Sequence, residues 1–424
     1  MILAAAEKSF LANERKDDNS GAWFQKHSHV LTSLNESCAD SELAAFAEDV
    51  GEARFVVLCA QSHGEGNVFG LQGRLVQYLH QHCGFEVLAM GSGMYDLLQV
   101  WEDIKLGQHA ATAVLNNLFY MYSRCPQLRF LFEYITQCRY SDYPLILAGC
   151  DGPQGGRKST EDLLAHLSHF LEQYGFIELK EKVCWSGFVR AAERIISRSK
   201  PLIDSISDVH DFQKMLKLLF PILGNNELHQ LSNDESRLLY LSLEGLQAQL
   251  VELQVGEKRD WQMFSNIKWL AESVYSGKKF IIWVHSMRGL PSGGNSLGDL
   301  LRDYYGMNGV YIAHFTALGG CITDYEASQN TIALPHLSEG SWEAEWEKAK
   351  NENGYITFRS LIKDAVLQHD LYNNLTFRRF RYCDEPLSVH NVILPEGTNS
   401  QPIVDSLFFI QKVEPVKLSS MEGI

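Results

Sequence analysis

The chain has 424 residues, 45% of them hydrophobic and 11% aromatic, which is enough for a large core and suggests two or three lobes. Acidic residues outnumber basic ones, 52 against 37, so the formal net charge is −15. Because no basic cluster is available to neutralise a phosphate backbone, we do not expect nucleic acid as a partner.

The N-terminal part predicts one strand–helix–strand unit. Its elements in chain order are a polar segment at 1–40, a short helix at 41–50 capped by Ser41, a strand at 55–59, a helix at 67–81 and a second strand at 85–90. A strand, a helix and a strand within about 40 residues form a βαβ unit, which implies a parallel sheet. The following GSG, residues 91–93, predicts a tight turn.

The rest of the chain alternates helical and strand patterns. In order we predict helices at 94–105, 111–122 and 127–138, a strand at 144–150, a long helical region at 159–277, a strand at 279–285, a helix at 297–305, and strands at 310–315, 355–359 and 406–413. The fold class is therefore α/β, with a mostly parallel central sheet flanked by helices and a large helical insertion lobe.

Four regions follow from these elements. They are a polar N-terminal segment at 1–40, a first α/β part at 41–158, the helical lobe at 159–277 and a second α/β part at 278–424.

Cysteine usage and hydropathy predict a cytoplasmic protein. The nine cysteines are scattered, odd in number and without a CxxC pair, which is typical of reduced thiols that fill core space. The N-terminus lacks the basic start of a signal peptide, and no apolar stretch approaches the roughly 20 residues of a membrane span. We expect neither a membrane partner nor a cofactor or metal, and the sequence does not indicate an oligomeric state.

Three stretches resemble functional motifs, but each has a simpler interpretation without a catalytic or binding role. GPQGGRKST at 152–160 resembles a phosphate loop, but Arg157 separates the glycine from the lysine. GNSLG at 294–298 fits G-x-S-x-G, yet no strand runs into it, so we predict Ser296 to be a helix N-cap. Cys59 precedes His63 by four residues, and we interpret it as a buried strand residue.

Two histidines follow apolar strand patterns. RFVVLCAQSHG ends on His63 and Gly64, and KFIIWVH ends on His285. Ligands and catalytic groups collect at the carboxyl ends of parallel strands, and histidine transfers protons near neutral pH. We therefore predict a functional site at this edge, although each histidine could instead be an ordinary hydrogen-bonded polar residue.

Six blocks in order resemble the erythromycin esterase family, over about residues 41 to 415. The family's L-G-E-[AS]-[TS]-H-G corresponds to LCAQSHG at 58–64, and its G-F-x-x-[VL]-[AV]-x-E to GFEVLAMG at 84–91. The remaining blocks are AGCD at 148–151, RDWQMFSN at 259–266, WVHSMR at 283–288 against the family's W-x-H-x-x-H, and VDSLFFI at 404–410 against its closing D-x-x-x-x-I.

The resemblance implies a cleft in which an ester is hydrolysed without a metal and without a covalent acyl-enzyme. A histidine would act as general base on the attacking water, supported by two glutamates, an arginine and a histidine pair. His63 matches the base, and His285 matches the first histidine of the pair.

Four of the polar groups implied by the resemblance are changed in this chain. Ala60 and Gly91 stand where the family has glutamates, Gln72 stands where it has arginine, and Arg288 replaces the second histidine. Loss of the carboxylates removes the groups that orient an imidazole, whereas Arg288 adds a permanent cation suited to an anion or a developing oxyanion.

Three carboxyls near the motifs could replace the lost ones: Glu65, Glu86 and Asp96. Glu86 is disfavoured because it begins its strand, at the end away from Gly91.

The sequence thus predicts an enzyme acting on an ester or acyl group of a small molecule, for example a secondary metabolite, with His63 as base and His285 as second proton carrier. The alternative is a catalytically impaired relative that binds a small ligand, anionic or neutral, or serves as an accessory protein in a biosynthetic pathway. The candidate substrate-binding residues are Gln61, Ser62, Gln72, Arg74, Asp151, Arg259 and Arg288.

Overall fold

The structure is a computed structural model. It describes residues 23–35, 39–198, 205–224, 233–255, 259–326, 330–349, 352–361, 376–379, 388–391 and 403–418. Most of the predicted polar segment 1–40 lies outside the described residues, apart from a helical turn at 23–27 and a short strand.

Eleven strands are defined among the described residues. They are β1 His29–Val30, β2 Phe55–Ala60, β3 Phe85–Gly93, β4 Ile146–Asp151, β5 Lys279–His285, β6 Val310–Thr323, β7 Thr331–Ala333, β8 Gly354–Thr357, β9 Thr376–Arg379, β10 Ser388–Asn391 and β11 Ser406–Val413.

The α-helices alternate with these strands. They are α1 Ala44–Val50, α2 Gly66–Cys83, α3 Met94–Lys105, α4 Ala110–Ala113, α5 Tyr120–Ser123, α6 Arg129–Cys138, α7 Arg157–Gln173, α8 Trp185–Ser197, α9 Ile206–Leu223, α10 Asn233–Val255, α11 Arg259–Trp269, α12 Ser286–Gly289, α13 Leu297–Tyr305 and α14 Trp342–Ala349. The fold class is α/β, as predicted, with a nine-stranded central sheet.

The chain divides into two compact units. Among the described residues, unit 1 comprises those within 23–84, 125–131 and 283–418, and unit 2 comprises those within 85–124 and 132–282. The four regions predicted from the sequence stay a prediction.

Unit 1 holds parallel strands bordered by antiparallel ones. β2 pairs with β6 and β6 with β11 in parallel, whereas β8 pairs antiparallel with β11 and with β1. All six residues of β2 are buried, as its continuous apolar pattern predicts. Aromatic side chains fill the core beside β11: Trp346 stacks on Phe409 with ring centroids 4.2 Å apart.

Unit 2 joins a parallel strand pair to a set of helices. β3 and β4 pair from Val87–Ile146 onward. Asn266 of α11 donates its amide to the carbonyl of Cys150 in β4, which anchors that helix to the strand. Phe188 of α8 stacks on Phe212 of α9 at 5.5 Å. The region predicted to be helical, 159–277, is helical in most of its described residues.

The predicted turn at 91–93 is wrong, because β3 continues to Gly93 through an irregularity after Met90. A Cβ on Gly149 of β4 would lie 2.3 Å from the carbonyl oxygen of Gly93. Here glycines permit close approach of two strands, which a sequence does not distinguish from a turn.

Two helix predictions also need correction. The pattern at 111–122 gives two four-residue helices, α4 and α5, because Asn116 takes a positive φ of 60° and interrupts the helix. Ser41 is not an N-cap, since it lies inside a 3₁₀ turn, Asp40–Leu43, that precedes α1.

The N-cap prediction for Ser296 is confirmed. Its hydroxyl accepts the backbone N–H of Asp299 at 3.1 Å, and the Asp299 carboxylate accepts the N–H of Ser296 in return, which forms a capping box at the start of α13. The G-x-S-x-G match therefore reflects helix capping.

In the part of the chain that the structure describes, no helix combines the length and the hydropathy needed to cross a bilayer. The cytoplasmic location stays a prediction.

Candidate functional site

Two histidine rings meet in unit 1. His63 follows β2 by three residues and His285 ends β5. Their ring centroids are 5.0 Å apart, the planes are inclined by 52°, and both side chains are half-buried. The rings are thus in contact while remaining partly accessible to solvent.

His285 has a defined tautomer. Its Nδ1 accepts the backbone N–H of Met287 at 3.0 Å, which makes His285 the N-cap of the four-residue helix α12. Since Nδ1 is an acceptor, the neutral ring carries its proton on Nε2. His285 therefore presents a hydrogen-bond donor, a role suited to an oxyanion or a leaving group.

The loop that carries His63 is fixed by its neighbours. The carbonyl of Gly64 accepts the N–H groups of Thr323 and of Val416, each at 3.0 Å. The hydroxyl of Ser62 accepts the N–H of Gly64 at 3.1 Å. The end of β6 and the segment after β11 thereby hold the backbone next to His63.

Gly64 leaves no space for a side chain. A Cβ there would lie 2.0 Å from the carbonyl oxygen of Thr323 and 2.7 Å from its nitrogen. We expect Gly64→Ala to lower the free energy of unfolding by about 1–3 kcal/mol, as overpacking against backbone does. Urea unfolding measures this loss. Gly294→Ala is the control, because Gly294 is exposed, has no positive φ and leaves room for a Cβ, and an equal effect of both substitutions would contradict the explanation.

Tyr325 is a third ring beside the pair, and sequence reasoning missed it. It lies nearly perpendicular to His63, with centroids 5.4 Å apart, and is half-buried. The predicted strand at 310–315 is too short, because β6 runs to Thr323. The signal that could have revealed Tyr325 is its place after the carboxyl end of a parallel strand, which the glycines at 319–320 concealed.

Arg288 lies in α12, three residues after His285, and its side chain is half-buried. The short helix thus carries both the imidazole donor and a permanent cation.

Three further predicted residues, Gln61, Ser62 and Gln72, are buried in unit 1. Gln61 donates its amide to the carbonyl of Arg378 at 3.0 Å. Among the described residues, Gln72 has no hydrogen-bond partner for either amide atom. It lies on α2, one turn beyond Phe69, which contacts Trp283 of β5 at 6.0 Å between centroids.

The other predicted binding residues have structural partners. Arg74 donates to the carbonyls of Ser33 and Ala39 and pairs with Glu42 at 3.5 Å, so its guanidinium anchors the segment before α1. Asp151 and Arg259 form a two-bond ion pair within unit 2.

The carboxyls that could replace the missing glutamates differ in their surroundings. Glu86 pairs with Lys278. Asp96 accepts the N–H groups of Gly156 and Ser159 at 3.1 and 2.7 Å. Its carboxylate therefore occupies the start of α7, where the glycine-rich 152–160 stretch suggested phosphate.

Glu65 is the third carboxyl and lies in the histidine loop. Only 1% of the residue is exposed, and its carboxyl accepts the N–H of Ser62 at 3.0 Å. Burial raises the pKa of Glu65 to about 8, although hydrogen bonds from the backbone of Ser62 and Gln61 oppose the shift. This carboxyl is thus mostly protonated at pH 7.

No group of three or more His, Cys, Asp or Glu side chains within the described ranges is arranged to hold a metal ion. The described cysteines are free thiols, and Cys59 is buried, as predicted.

The fold and site together define an α/β protein with a histidine pair beyond the ends of two sheet strands. Comparison with known proteins shows which proteins this chain resembles. The erythromycin esterase family model matches residues 234–384. The Bacillus subtilis protein named "Putative hydrolase YbfO" is 22% identical over 306 residues, 68% of each chain.

Solved structures show the same fold. A succinoglycan biosynthesis protein matches with a TM-score of 0.73 and 14% identity, covering 95% of this chain and 99% of its own. A mutant of the erythromycin esterase EreC in its open conformation matches with a TM-score of 0.65 and 15% identity, covering 93% and 99%. A Bacillus cereus protein matches with a TM-score of 0.69 and 17% identity, covering 95% and 99%.

These matches confirm the resemblance predicted from the motifs: the chain is erythromycin esterase-like.

Proposed function

We propose that this protein hydrolyses, or transfers the acyl group of, a small-molecule ester, with His63 as the general base. The observation that supports the proposal is the contact of His63 with His285, two partly accessible imidazoles with ring centroids 5.0 Å apart. An imidazole is the side chain best matched to proton transfer at neutral pH, and general-base catalysis contributes roughly 10²–10⁴-fold.

In the proposed reaction, His63 removes a proton from water, or from an alcohol acceptor, as its oxygen attacks the ester carbonyl. The Nε2–H of His285 donates to the negative charge that develops on the carbonyl oxygen or to the leaving alkoxide. The proton taken by His63 then passes to the leaving group, and an acid and an alcohol are released when water attacks.

Arg288 sets the preferred substrate in this proposal. A half-buried cation three residues after His285 favours esters that carry a carboxylate or phosphate. The replacement of two glutamates by Ala60 and Gly91 removes negative charge expected from the family pattern. The substrate class is therefore a small anionic ester, and a macrolide-specific hydrolase is disfavoured.

The same replacements favour the second candidate, a relative that binds an anionic small molecule without turning it over. A panel of neutral and anionic esters tests both proposals. Product formation that depends on His63 supports the enzyme, whereas saturable binding of an ester that stays intact on long incubation supports the binding protein.

We expect Arg288→Gln to weaken recognition of anionic esters selectively. Hydrogen bonds to charged groups contribute about 1.5–3 kcal/mol, so KM for an anionic ester rises roughly 10- to 150-fold. KM for a neutral ester of the same size stays within about threefold, since it makes no ion pair. Steady-state kinetics on a matched ester pair measures the difference, and equal changes for both esters would reject Arg288 as the anion contact.

A further inference from the structure

The carboxyl of Glu65 closes the loop that carries His63. It accepts the N–H of Ser62, which directly precedes the histidine, while Glu65 itself follows it by two residues. Glu65 also pairs as an isolated bridge with Pro415, and the next N–H, that of Gly66, donates to the carbonyl of Glu414 at 2.8 Å. The Glu65 carboxyl thus bonds the backbone that precedes His63, and the backbone around Glu65 itself is bonded to the segment after β11.

The other two carboxyls considered as replacements form their bonds with residues of unit 2. Glu86 is paired with Lys278, and Asp96 caps α7 through Gly156 and Ser159. Among the three carboxyls that the sequence suggested, Glu65 alone bonds to the His63 loop.

We propose that Glu65 is the positioning residue of His63, holding the loop backbone so that the imidazole faces His285, a task that the family pattern assigns to glutamates absent from this chain. This inference rests on the proposed function and deepens it. Glu65 acts through the backbone of the loop and takes no part in bond making.

Ionisation of the Glu65 carboxyl also makes the hydrogen bonding of the loop depend on pH. Its pKa of about 8 is raised by burial, so it gains its charge just above neutral pH. The titratable groups on the loop and on the elements that contact it are His63 itself, His285 at the end of β5, Tyr325 after β6 and Glu414 after β11. Ionised Glu65 is a stronger acceptor for the loop N–H groups and favours the imidazolium form of His63.

The test compares Glu65→Gln, Glu65→Ala and Glu65→Asp, with Glu343→Gln as matched control. Glu343 is also fully buried in unit 1 with its pKa raised by burial, but it bonds to Thr316 and Arg378 instead of the histidine loop. A merely structural effect of losing a buried carboxyl is therefore common to both sites.

We expect Glu65→Ala to lower kcat about 100-fold with KM little changed, because loss of precise orientation costs about that much. Glu65→Gln, an isostere of the protonated acid, retains most of kcat at pH 7. In this variant the change in kcat/KM near pH 8, which ionisation of Glu65 causes in the wild type, is absent. Glu65→Asp restores a large part of the loss in Glu65→Ala. Glu343→Gln keeps the wild-type pH profile.

Nuclear magnetic resonance of histidine-labelled protein gives a readout that needs no substrate. In the wild type, the ring signals of His63 should show a second inflection near pH 8, which disappears in Glu65→Gln and persists in Glu343→Gln. If esters are cleaved independently of His63, the proposed function fails, whereas this titration still decides whether Glu65 and His63 are coupled. An unchanged titration and an unchanged pH profile in Glu65→Gln would overturn the inference.

Discussion

His63→Ala is expected to lower kcat/KM for the best ester by about 10²–10⁴-fold, the contribution of a general base. The reason is chemical, since alanine cannot accept the proton of the attacking water. The effect on kcat should dominate, because the substrate is held by other groups, among them Arg288. Steady-state hydrolysis, followed by release of acid or alcohol across the ester panel, measures the loss.

A matched control separates chemistry from folding. His29 is also a half-buried histidine of unit 1, but it stacks on Tyr355 at the β1 end of the sheet, 4.9 Å between centroids. We expect His29→Ala to keep kcat/KM within about threefold, in line with a substitution outside the reacting groups. Hydrolysis that persists at the wild-type rate in His63→Ala would reject this residue as the base.

The strands were predicted from apolar runs because a parallel strand that is buried on both faces has a continuous apolar sequence. β5 and β11 lie where the sequence predicted them, at 279–285 and 406–413. The helix 297–305 was also predicted in full, since its start has a serine cap and its end precedes Gly306. These signals are local, so a single sequence carries them.

What the sequence could not reveal depends on contacts between distant residues. The GSG stretch was interpreted as a turn, although its glycines allow β3 to approach Gly149, far along the chain. Arg74 was placed in the site because it lies two positions after Gln72, where the family pattern has arginine, but its guanidinium bonds to Ser33 and Ala39. Neither partner can be deduced from periodicity.

The candidate site also combines features that local sequence signals predict with features that depend on distant contacts. The two histidines were predicted from strand ends, and the structure puts their rings in contact. The position of Tyr325 beside His63 and the burial of Glu65 depend on where β6 and β11 end and on the segments that follow them. The hydrophobic pattern alone does not define these features. The place of the two histidines at strand ends can therefore be predicted, whereas the side chains that surround them need the fold.

Asp405 connects the family-like closing block to the core of unit 1. Its carboxylate accepts from Arg302 of α13 and from the N–H of Ile312 in β6, both at 2.7 Å, and from Arg359 at 2.9 Å. Only 1% of Asp405 and 8% of Arg302 are exposed. One carboxylate therefore balances a buried guanidinium and ties a helix to the strands at the point where β11 begins.

We expect Asp405→Asn to lower the free energy of unfolding by about 3–5 kcal/mol, because it removes the carboxylate charge that is paired with the buried guanidinium of Arg302. Urea unfolding followed by tryptophan fluorescence measures the change. The control is Glu102→Gln, which removes the carboxylate partner of Lys105 in α3, where both side chains are about half exposed, and should cost less than about 1 kcal/mol. Equal losses in the two variants would mean that the Asp405 network adds no more than a surface pair. A loss confined to Asp405→Asn would explain why an aspartate stands at this position of the motif: it holds α13 and β11 against β6, and the histidine loop depends on the same β6 strand through Thr323.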